Sequence, residues 1–361
     1  MKITLTIIML ALAVFLAGGP VHAQAPAQSP AGSPQTDVAP DQPAALIDYR
    51  EELRKFVQSI SKFARSYNPN FAVLANGGLD LMVKRDPIDQ TKIAPARAYM
   101  RAIDGVIQEG MFFDVSRGDK PFGAPTNPAR QKALLQMAAF AQRNGLKVFA
   151  MDFGTGKAVV DAARKAALKR RFVSLVVDTP STDIHSLPAY PLRPFAENPD
   201  NILSLDMVRN FAVIRNSAPF GHEDQFALDM HETNYDMMAV EVFHGRQPLS
   251  KRAVETLKYK KIGSRRLVLA YMNIGSAASY HYYWQPEWRE GSPSWISAPH
   301  PDDPDRYNVE YWRDEWKQII AGDTNSYTYG LIAQGFDGVI IDGLEAYKFF
   351  EGDTAGAELV Q

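Results

Sequence analysis

The chain has 361 residues, of which 46% are hydrophobic and 22% are charged, and its formal net charge is -2 at pH 7. This composition supports a large buried core, and the balance of acidic and basic residues argues against nucleic acid or an anionic membrane surface as a partner. The chain has no cysteine, which excludes disulfides and a lipid-attachment cysteine.

The first 45 residues differ in composition from the rest. Residues 1–23 have a basic start, a short apolar segment and small residues before a cleavage point, the pattern of a secretory signal peptide. The apolar segment is shorter than the roughly 20 residues that span a bilayer, so we expect no stable membrane anchor. Residues 24–45, rich in Ala, Pro and Gln, predict a disordered linker before a folded domain at 46–361. We therefore predict a secreted or periplasmic protein.

The predicted secondary structure begins with a helix and continues with eight strands. Apolar residues recur at helical spacing between Leu46 and Tyr67, and Asn68-Pro69 ends the pattern. Short apolar segments that end in polar or glycine residues then follow, the pattern of buried parallel strands. They lie at residues 71–74, 102–113, 146–153, 171–178, 210–214, 236–243, 267–274 and, within 335–347, at 339–341.

The order of these elements predicts the fold class. Helical patterns at 127–144 and 156–169 lie between strands, which favours parallel βα units. Eight such strands fit a single (β/α)8 TIM barrel of the α/β class better than two domains. Residues 179–206, rich in proline and without periodicity, predict an irregular segment that crosses between two halves of that barrel, with a domain boundary as the alternative. The helix at 46–67 is expected to occupy the place of the eighth barrel helix.

Asp342 is the first catalytic candidate. It directly follows the apolar strand in the stretch Gly-Phe-Asp-Gly-Val-Ile-Ile-Asp-Gly-Leu-Glu-Ala-Tyr at 335–347. The carboxyl ends of parallel strands carry the chemistry of α/β barrels, because the loops there form a mouth over packed walls. The alternative is an aspartate that caps a helix or begins a turn at Gly343.

Several blocks of the chain resemble a family of enzymes. The strongest are Gly-Phe-Asp-Gly-Val-Ile-Ile-Asp at 335–342 and Tyr-Asn-Val-Glu-Tyr-Trp-Arg-Asp-Glu-Trp at 307–316. These blocks resemble glycoside hydrolase family 114, the secreted barrels similar to endo-α-1,4-polygalactosaminidase. Further blocks lie at 71–78, 103–113, 147–153, 210–216, 235–243 and 267–284. Because blocks from the second half of the family pattern come first here, the resemblance implies a circularly permuted barrel.

The resemblance implies a retaining two-carboxylate mechanism with Asp342 as nucleophile and Glu109 as acid/base. The residues agree, because both end apolar strands that are two apart in barrel order, and glycosidic cleavage needs two carboxyl groups roughly 5 to 9 Å apart. For Glu109 the alternative is a charge at a helix start or in a solvated loop. Where the family tends to read Gly-Glu-Ala-Glu-Asp-Tyr-Arg, residues 275–281 read Gly-Ser-Ala-Ala-Ser-Tyr-His. Ser276, Ala278 and Ser279 thus replace the acidic residues that would bind an amino sugar.

Substrate-binding residues are expected around these carboxylates. Flat aromatic rings suit the apolar faces of sugars, and Tyr and Trp crowd residues 280–295; about half of these rings should instead cover the barrel rim. Asp178 and Glu241 also end strands, where a helix cap or a wall salt bridge is the alternative to sugar binding. The predicted substrate-binding residues are Asn76, Asp152, Tyr271, Asn273, Tyr280, Trp284 and Glu345.

Other site types are not indicated. The seven histidines lack metal-binding spacing, and Gly154-Thr155-Gly156-Lys157 lacks the full phosphate-loop pattern. We therefore predict a monomeric glycoside hydrolase that needs no cofactor or metal and cleaves an α-linked polysaccharide or oligosaccharide, with amino-sugar polymers among the candidates. A non-catalytic carbohydrate-binding barrel is the alternative, and an intracellular sugar-phosphate enzyme conflicts with the predicted signal peptide.

Overall fold

The computed structural model describes residues 47–86, 89, 92–115, 121–301 and 303–352, so the predicted signal peptide and linker lie outside the described residues. Eight parallel strands form one sheet at the centre of the structure, and each corresponds to a predicted strand. They are β1 (Ala72–Asn76), β2 (Gly105–Glu109), β3 (Lys147–Phe153), β4 (Val173–Val177), β5 (Phe211–Ile214), β6 (Met237–Val240), β7 (Leu267–Asn273) and β8 (Gly338–Asp342).

The strands follow one another around a barrel. Their order in the sheet is β4-β3-β2-β1-β8-β7-β6-β5, and β8 pairs with β1 in parallel. No ladder joins β4 to β5, although Cα atoms of these two strands come within 8 Å of each other. A parallel sheet of this order, curved until its edge strands meet, is the (β/α)8 architecture. The predicted fold class is therefore confirmed.

Helices cover the outside of the sheet. The helix α1 begins at Tyr49 because Asp48 caps it, with Glu51 N donating to Asp48 Oδ1 at 2.9 Å. The predicted strand at 102–113 is shorter than expected, since a helix ends at Ala102 and β2 occupies only its middle. The helices of the described residues are α1 (Tyr49–Tyr67), α2 (Arg97–Ala102), α3 (Pro128–Arg143), α4 (Gly156–Leu168), α5 (Glu223–His231), α6 (Lys251–Leu257), α7 (Asp314–Ala321), α8 (Tyr327–Gln334) and α9 (Ala346–Phe350). In the part of the chain that the structure describes, no helix is long and apolar enough to cross a membrane.

Small antiparallel sheets lie at one end of the barrel. Each lies in the connection that follows the carboxyl end of β1, β2, β6 or β7, so all of them extend the same rim. The largest is a three-stranded sheet after β7, formed by Ser276–Ala278, Ile296–His300 and Asp303–Val309. The active sites of (β/α)8-barrel enzymes lie at this end of the barrel.

Side chains alternate between two apolar layers along every strand. One set fills the barrel interior, where the rings of Phe149 and Phe211 lie 5.2 Å apart. The other set packs against the helices. Interior positions include Leu74, Ile107, Met151, Leu175, Val213, Ala239, Leu269 and Ile340. The alternation decides which residues at the strand ends face the mouth of the barrel.

Residues 179–206 fill the gap between β4 and β5. Three of their apolar side chains, those of Ile184, Ile202 and Leu205, are buried in the interior cluster. Ile184 O accepts from Arg215 N at 2.7 Å, and Ile202 N donates to Arg265 O at 2.9 Å. The segment is thus packed into the barrel interior and bonded to residues next to β5 and β7. The predicted crossing segment is present, and the compact unit that begins at Ile47 is not divided at this point.

The first helix and the last helix meet beside the β8–β1 pair. Helix α1 packs against α7, α8 and α9. The rings of Tyr49 and Phe350 lie 5.6 Å apart, and Arg50 Nη2 is 3.0 Å from Glu351 Oε2. Helix α1 thus lies in the place predicted for it, that of the eighth helix of a (β/α)8 barrel.

Candidate active site

A cluster of polar side chains occupies the carboxyl ends of the barrel strands. Each member continues the interior alternation of its strand, for example Asn76 after Leu74 and Asp342 after Ile340. Register brings Asn273 directly beside Asp342. The strands therefore aim one ring of polar groups into the barrel mouth. Its members are Asn76, Glu109, Arg215, Glu241, Asn273 and Asp342.

One amide joins the two candidate catalytic carboxylates. Asn76 lies on β1, between β2 and β8, and its Nδ2 donates to Glu109 Oε1 and to Asp342 Oδ1, both at 3.1 Å. The two oxygens are therefore no more than twice 3.1 Å apart. Retaining glycosidases place their carboxyl groups about 5 to 5.5 Å apart and inverting ones about 6.5 to 9.5 Å. The shared amide therefore keeps the two carboxyl groups close enough to act together on one glycosidic bond.

Asp342 is held in its ionised form. Its Oδ1 also accepts from Gly343 N at 3.0 Å, and its Oδ2 accepts from Arg215 Nη2 at 3.1 Å. Burial acts to raise the pKa of Asp342, but the charge of Arg215 and the hydrogen bonds from Asn76 and Gly343 outweigh it, so this pKa lies below its usual value. The carboxylate is thus available as a base or nucleophile.

Glu109 has the opposite electrostatic environment. Burial and then the negative charge of Asp342 raise the pKa of Glu109, against weaker opposing effects from Asn76, Arg215 and Ser181. Glu109 therefore retains its proton to higher pH than Asp342 does. Two neighbouring carboxyl groups with pKa values moved apart are typical of a general acid paired with a nucleophile or base.

Arg215 is a member of the cluster that sequence reasoning missed. It directly follows Ile214, the last residue of β5, and its Cζ lies 4.1 Å from the centre of the Tyr271 ring. Extending the interior alternation from Phe211 and Val213 by one step would have found it. Tyr271 is only 2% exposed beneath this guanidinium. The prediction that Tyr271 binds substrate is therefore corrected: its ring forms the floor of the site.

Asp152 does not face the mouth. Its neighbours Met151 and Phe153 point into the barrel, so Asp152 points outward. It is fully buried, and its Oδ1 accepts from Phe112 N at 2.5 Å and Phe113 N at 2.9 Å. Burial raises the pKa of Asp152 to about 7. The prediction that Asp152 binds substrate is corrected: it anchors the loop after β2.

Asn273 organises the turn after β7. Its Oδ1 accepts from Gly275 N, Ser276 N and Ser276 Oγ at 2.9 to 3.0 Å. Gly343 has φ +76°, and a Cβ there would collide with Asn273 Oδ1, so glycine is required for this approach. The oxygen of Asn273 is thus used within the protein, and only its amide nitrogen remains for a ligand.

Two further carboxylates line the same mouth. Glu345 Oε2 lies beside the backbone of Gly77, and solvent reaches the Glu345 side chain. Desolvation and the negative charge of Asp342 raise the pKa of Glu345. Burial likewise raises the pKa of Glu241, against the charges of Arg215 and Arg306. The cleft thus holds acidic groups beyond the Glu109–Asp342 pair.

The aromatic loop after β7 is divided between the cleft and the rim. Tyr280 is partly exposed, and its hydroxyl accepts from Arg306 Nη2 at 2.8 Å. Arg306 also donates to Ser276 Oγ at 3.3 Å. It therefore places a positive charge beside residues 275–281, in which the sequence analysis found no charged side chain that would bind a sugar. Trp284 stacks on Tyr307 with ring centres 5.3 Å apart, and its role in substrate binding stays a prediction. The nearby rings of Tyr283 and Trp295 are buried, as expected for the rim.

Two other candidate sites are weaker. Lys157, in the segment that resembles a phosphate loop, is paired with Asp161 at 2.8 Å. Among the described residues no group of three or more His, Cys, Asp or Glu side chains could hold a metal ion. A partly open cavity between α4, β4 and the crossing segment holds about 60 Å³, and a more open groove along α3 holds about 460 Å³. Neither is lined by the Glu109–Asp342 pair.

Comparison with known proteins adds no established function. No family model matches the chain. Uncharacterized proteins of Deinococcus radiodurans, Methanocaldococcus jannaschii and Thermotoga maritima are 40%, 30% and 37% identical over 96, 139 and 82 residues, or 26%, 37% and 23% of this chain. The chain spans 30%, 38% and 24% of their respective lengths. A solved xylanase and α-amylase inhibitor protein from Scadoxus multiflorus is 10% identical, with TM-score 0.33, over 80% of this chain and 99% of the inhibitor.

Proposed function

We propose that the protein is an exported glycoside hydrolase that cleaves an α-linked polysaccharide by a retaining two-carboxylate mechanism. The observation that carries the proposal is the single amide of Asn76, which donates to both Glu109 and Asp342 and so brings two carboxyl groups together, as glycosidic cleavage requires. The separation of the two pKa values supports it, because one group must donate a proton while the other attacks. The resemblance to glycoside hydrolase family 114 assigns the same two residues.

The reaction would proceed in two balanced steps. Asp342 forms a bond to the anomeric carbon as the glycosidic carbon–oxygen bond breaks, and the leaving oxygen takes the proton of Glu109. Glu109 then takes a proton from water, whose oxygen displaces Asp342 and releases the sugar with retained configuration. The raised pKa of Glu109 suits the first step, and loss of the Asp342 charge in the intermediate lets Glu109 act as a base in the second.

The test is a panel of α-linked polysaccharides, including polygalactosamine, amylose and polygalacturonate, assayed for new reducing ends. Asp342→Asn and Glu109→Gln should each lower the rate by at least about 10³-fold. Asp224→Asn, at an exposed carboxylate, is the matched control and should keep the parent rate. Proton NMR of the first product should show retention at the anomeric carbon.

Two outcomes would contradict the proposal. Parent-like rates in both carboxylate variants would remove the mechanism. Saturable glycan binding without new reducing ends would replace the enzyme with a non-catalytic carbohydrate-binding barrel, a reading favoured by the absence of acidic residues at Ser276, Ala278 and Ser279.

A further inference from the structure

Arg215 is fixed by contacts on three sides. Its backbone N donates to Ile184 O of the crossing segment at 2.7 Å. Its guanidinium lies on the face of the buried Tyr271 ring at 4.1 Å, and its Nη2 donates to Asp342 Oδ2 at 3.1 Å. Only 17% of the side chain is exposed. Because an arginine stacked on a ring has few accessible rotamers, this guanidinium presents a fixed donor to the carboxylate.

Four titratable neighbours of Arg215, three carboxyl groups and one neutral tyrosine, come from four strands. Asp342 ends β8, Tyr271 lies in β7, Glu241 follows β6 and Glu109 ends β2. Among the ion pairs of the described residues, the pair of Arg215 with Asp342 is the one that involves a candidate catalytic carboxylate. Glu241 is the next carboxylate whose charge acts on Arg215.

We propose that Arg215 is a positioning residue for the cleavage reaction, which fixes the Asp342 carboxylate for attack through the hydrogen bond to its Oδ2. This inference rests on the proposed function. In the first step Asp342 exchanges its negative charge for a covalent bond to the anomeric carbon, while the leaving oxygen receives the proton of Glu109.

The test compares Arg215→Gln and Arg215→Lys with Arg252→Gln. Arg252 is the matched control because its pair with Asp224 is exposed, at 78% and 60% for the two side chains. We expect kcat of Arg215→Gln to fall by about 10²-fold, with a much smaller change in KM, as for other groups that act on transition-state charge. Lysine keeps the charge but not the planar fork, so Arg215→Lys should fall between the parent and Arg215→Gln. Arg252→Gln should match the parent.

The pH profile separates positioning from a merely structural role. Arg215 lowers the pKa of both Asp342 and Glu109, so its removal should raise both. Activity requires Asp342 ionised and Glu109 protonated, so both limbs of the kcat/KM profile of Arg215→Gln should move to higher pH. Arg215→Lys should keep limbs close to those of the parent.

The outcomes distinguish this inference from the proposed function. If the parent cleaves a glycan and Arg215→Gln keeps the parent kcat and both limbs, the inference about Arg215 is wrong and the proposed function stands. If the parent cleaves nothing in the panel, the proposed function fails. Carboxyl 13C NMR titration of Asp342 needs no turnover, and an unchanged titration in folded Arg215→Gln would overturn the electrostatic link itself.

Discussion

The two ends of the barrel each contain a cluster of charged residues, and the clusters differ in how fully their charges are satisfied. At the amino ends of the strands, Lys260 and Asp236 are both 0% exposed and lie 2.9 Å apart. Lys260 Nζ also donates to Asn198 O at 2.5 Å and Asp200 O at 3.0 Å, and Asp236 Oδ2 accepts from Arg209 N at 2.9 Å. This cluster is closed to solvent and bonded on every side.

At the carboxyl ends, the charges remain open to the cleft. Asp342 and Arg215 each keep 17% of their side-chain surface exposed, and more carboxyl groups than cations surround them. Burial without full pairing moves pKa values, whereas a closed and complementary pair ties chain segments together. The comparison teaches that a buried charge indicates function only where its partners leave room for a ligand. The closed cluster around Lys260 and Asp236 accordingly joins the crossing segment to β6 and β7.

The largest stability effect should come from the closed cluster. Lys260→Met leaves Asp236 buried without its cation, which typically costs about 3 to 5 kcal/mol. The adjacent Lys261 is the matched control, because its pair with Glu232 is 60% exposed on both sides, and Lys261→Met should change stability by less than about 1 kcal/mol. Urea unfolding followed by circular dichroism measures both.

The same variant sharpens the comparison of the two ends. Folded Lys260→Met should keep the specific activity of the parent at low temperature, because its contacts lie at the end of the barrel opposite the carboxylate pair. Equal stability of the Lys260 and Lys261 variants would show that the closed cluster does not hold the fold together.

A smaller effect of opposite sign is expected at the open cluster. The pKa of Glu109 is raised in the folded chain above the unfolded value of about 4.3, so its contribution to stability is full below that pH and is lost as pH rises through the folded pKa. Glu109→Gln cannot ionise, so it should be more stable than the parent at neutral pH, by about 0.5 to 2 kcal/mol. The difference should shrink toward pH 4.

Thermal melts at a series of pH values from 4 to 8 would measure this difference. Glu315→Gln, at a carboxylate that is 61% exposed, is the control and should stay within about 0.5 kcal/mol of the parent. A Glu109→Gln protein that is less stable than the parent at pH 8 would contradict the inference that an ionised Glu109 destabilises the folded protein.

The smallest effect should come from the surface pair that joins α1 to the end of α9. Arg50 and Glu351 are 29% and 33% exposed at 3.0 Å, and such pairs contribute less than about 1 kcal/mol. Glu351→Gln should therefore lower the melting temperature only slightly, because the apolar contacts between α1 and α7 to α9 remain. If Glu351→Gln lost as much stability as Lys260→Met, the packing of α1 against α9 would depend on this ion pair more than on apolar contacts.

Most of the barrel could be predicted because its strands are short apolar runs with polar ends. Burial on both faces leaves little choice of residue, and the run at Val339–Ile341 before Asp342 shows the pattern clearly. The same rule placed Glu109 and Asp342 at strand ends. Asp152 was misplaced because it lies next to the strand end but on the outward side of the alternation. Arg215 was missed because the predicted strand ended at residue 214, one residue before the next interior position of the alternation.

By itself, the sequence determined the strand set, the helical patterns and the two candidate carboxylates, because these depend on local periodicity and on the ends of apolar runs. Only the tertiary structure decided that Asn76 joins those carboxylates, that Arg215 reaches Asp342 across the mouth, and that the crossing segment packs into the barrel interior. These relations join residues up to 266 positions apart in the chain. Distances across the barrel mouth follow from closure of the sheet, and no local pattern of residues encodes them.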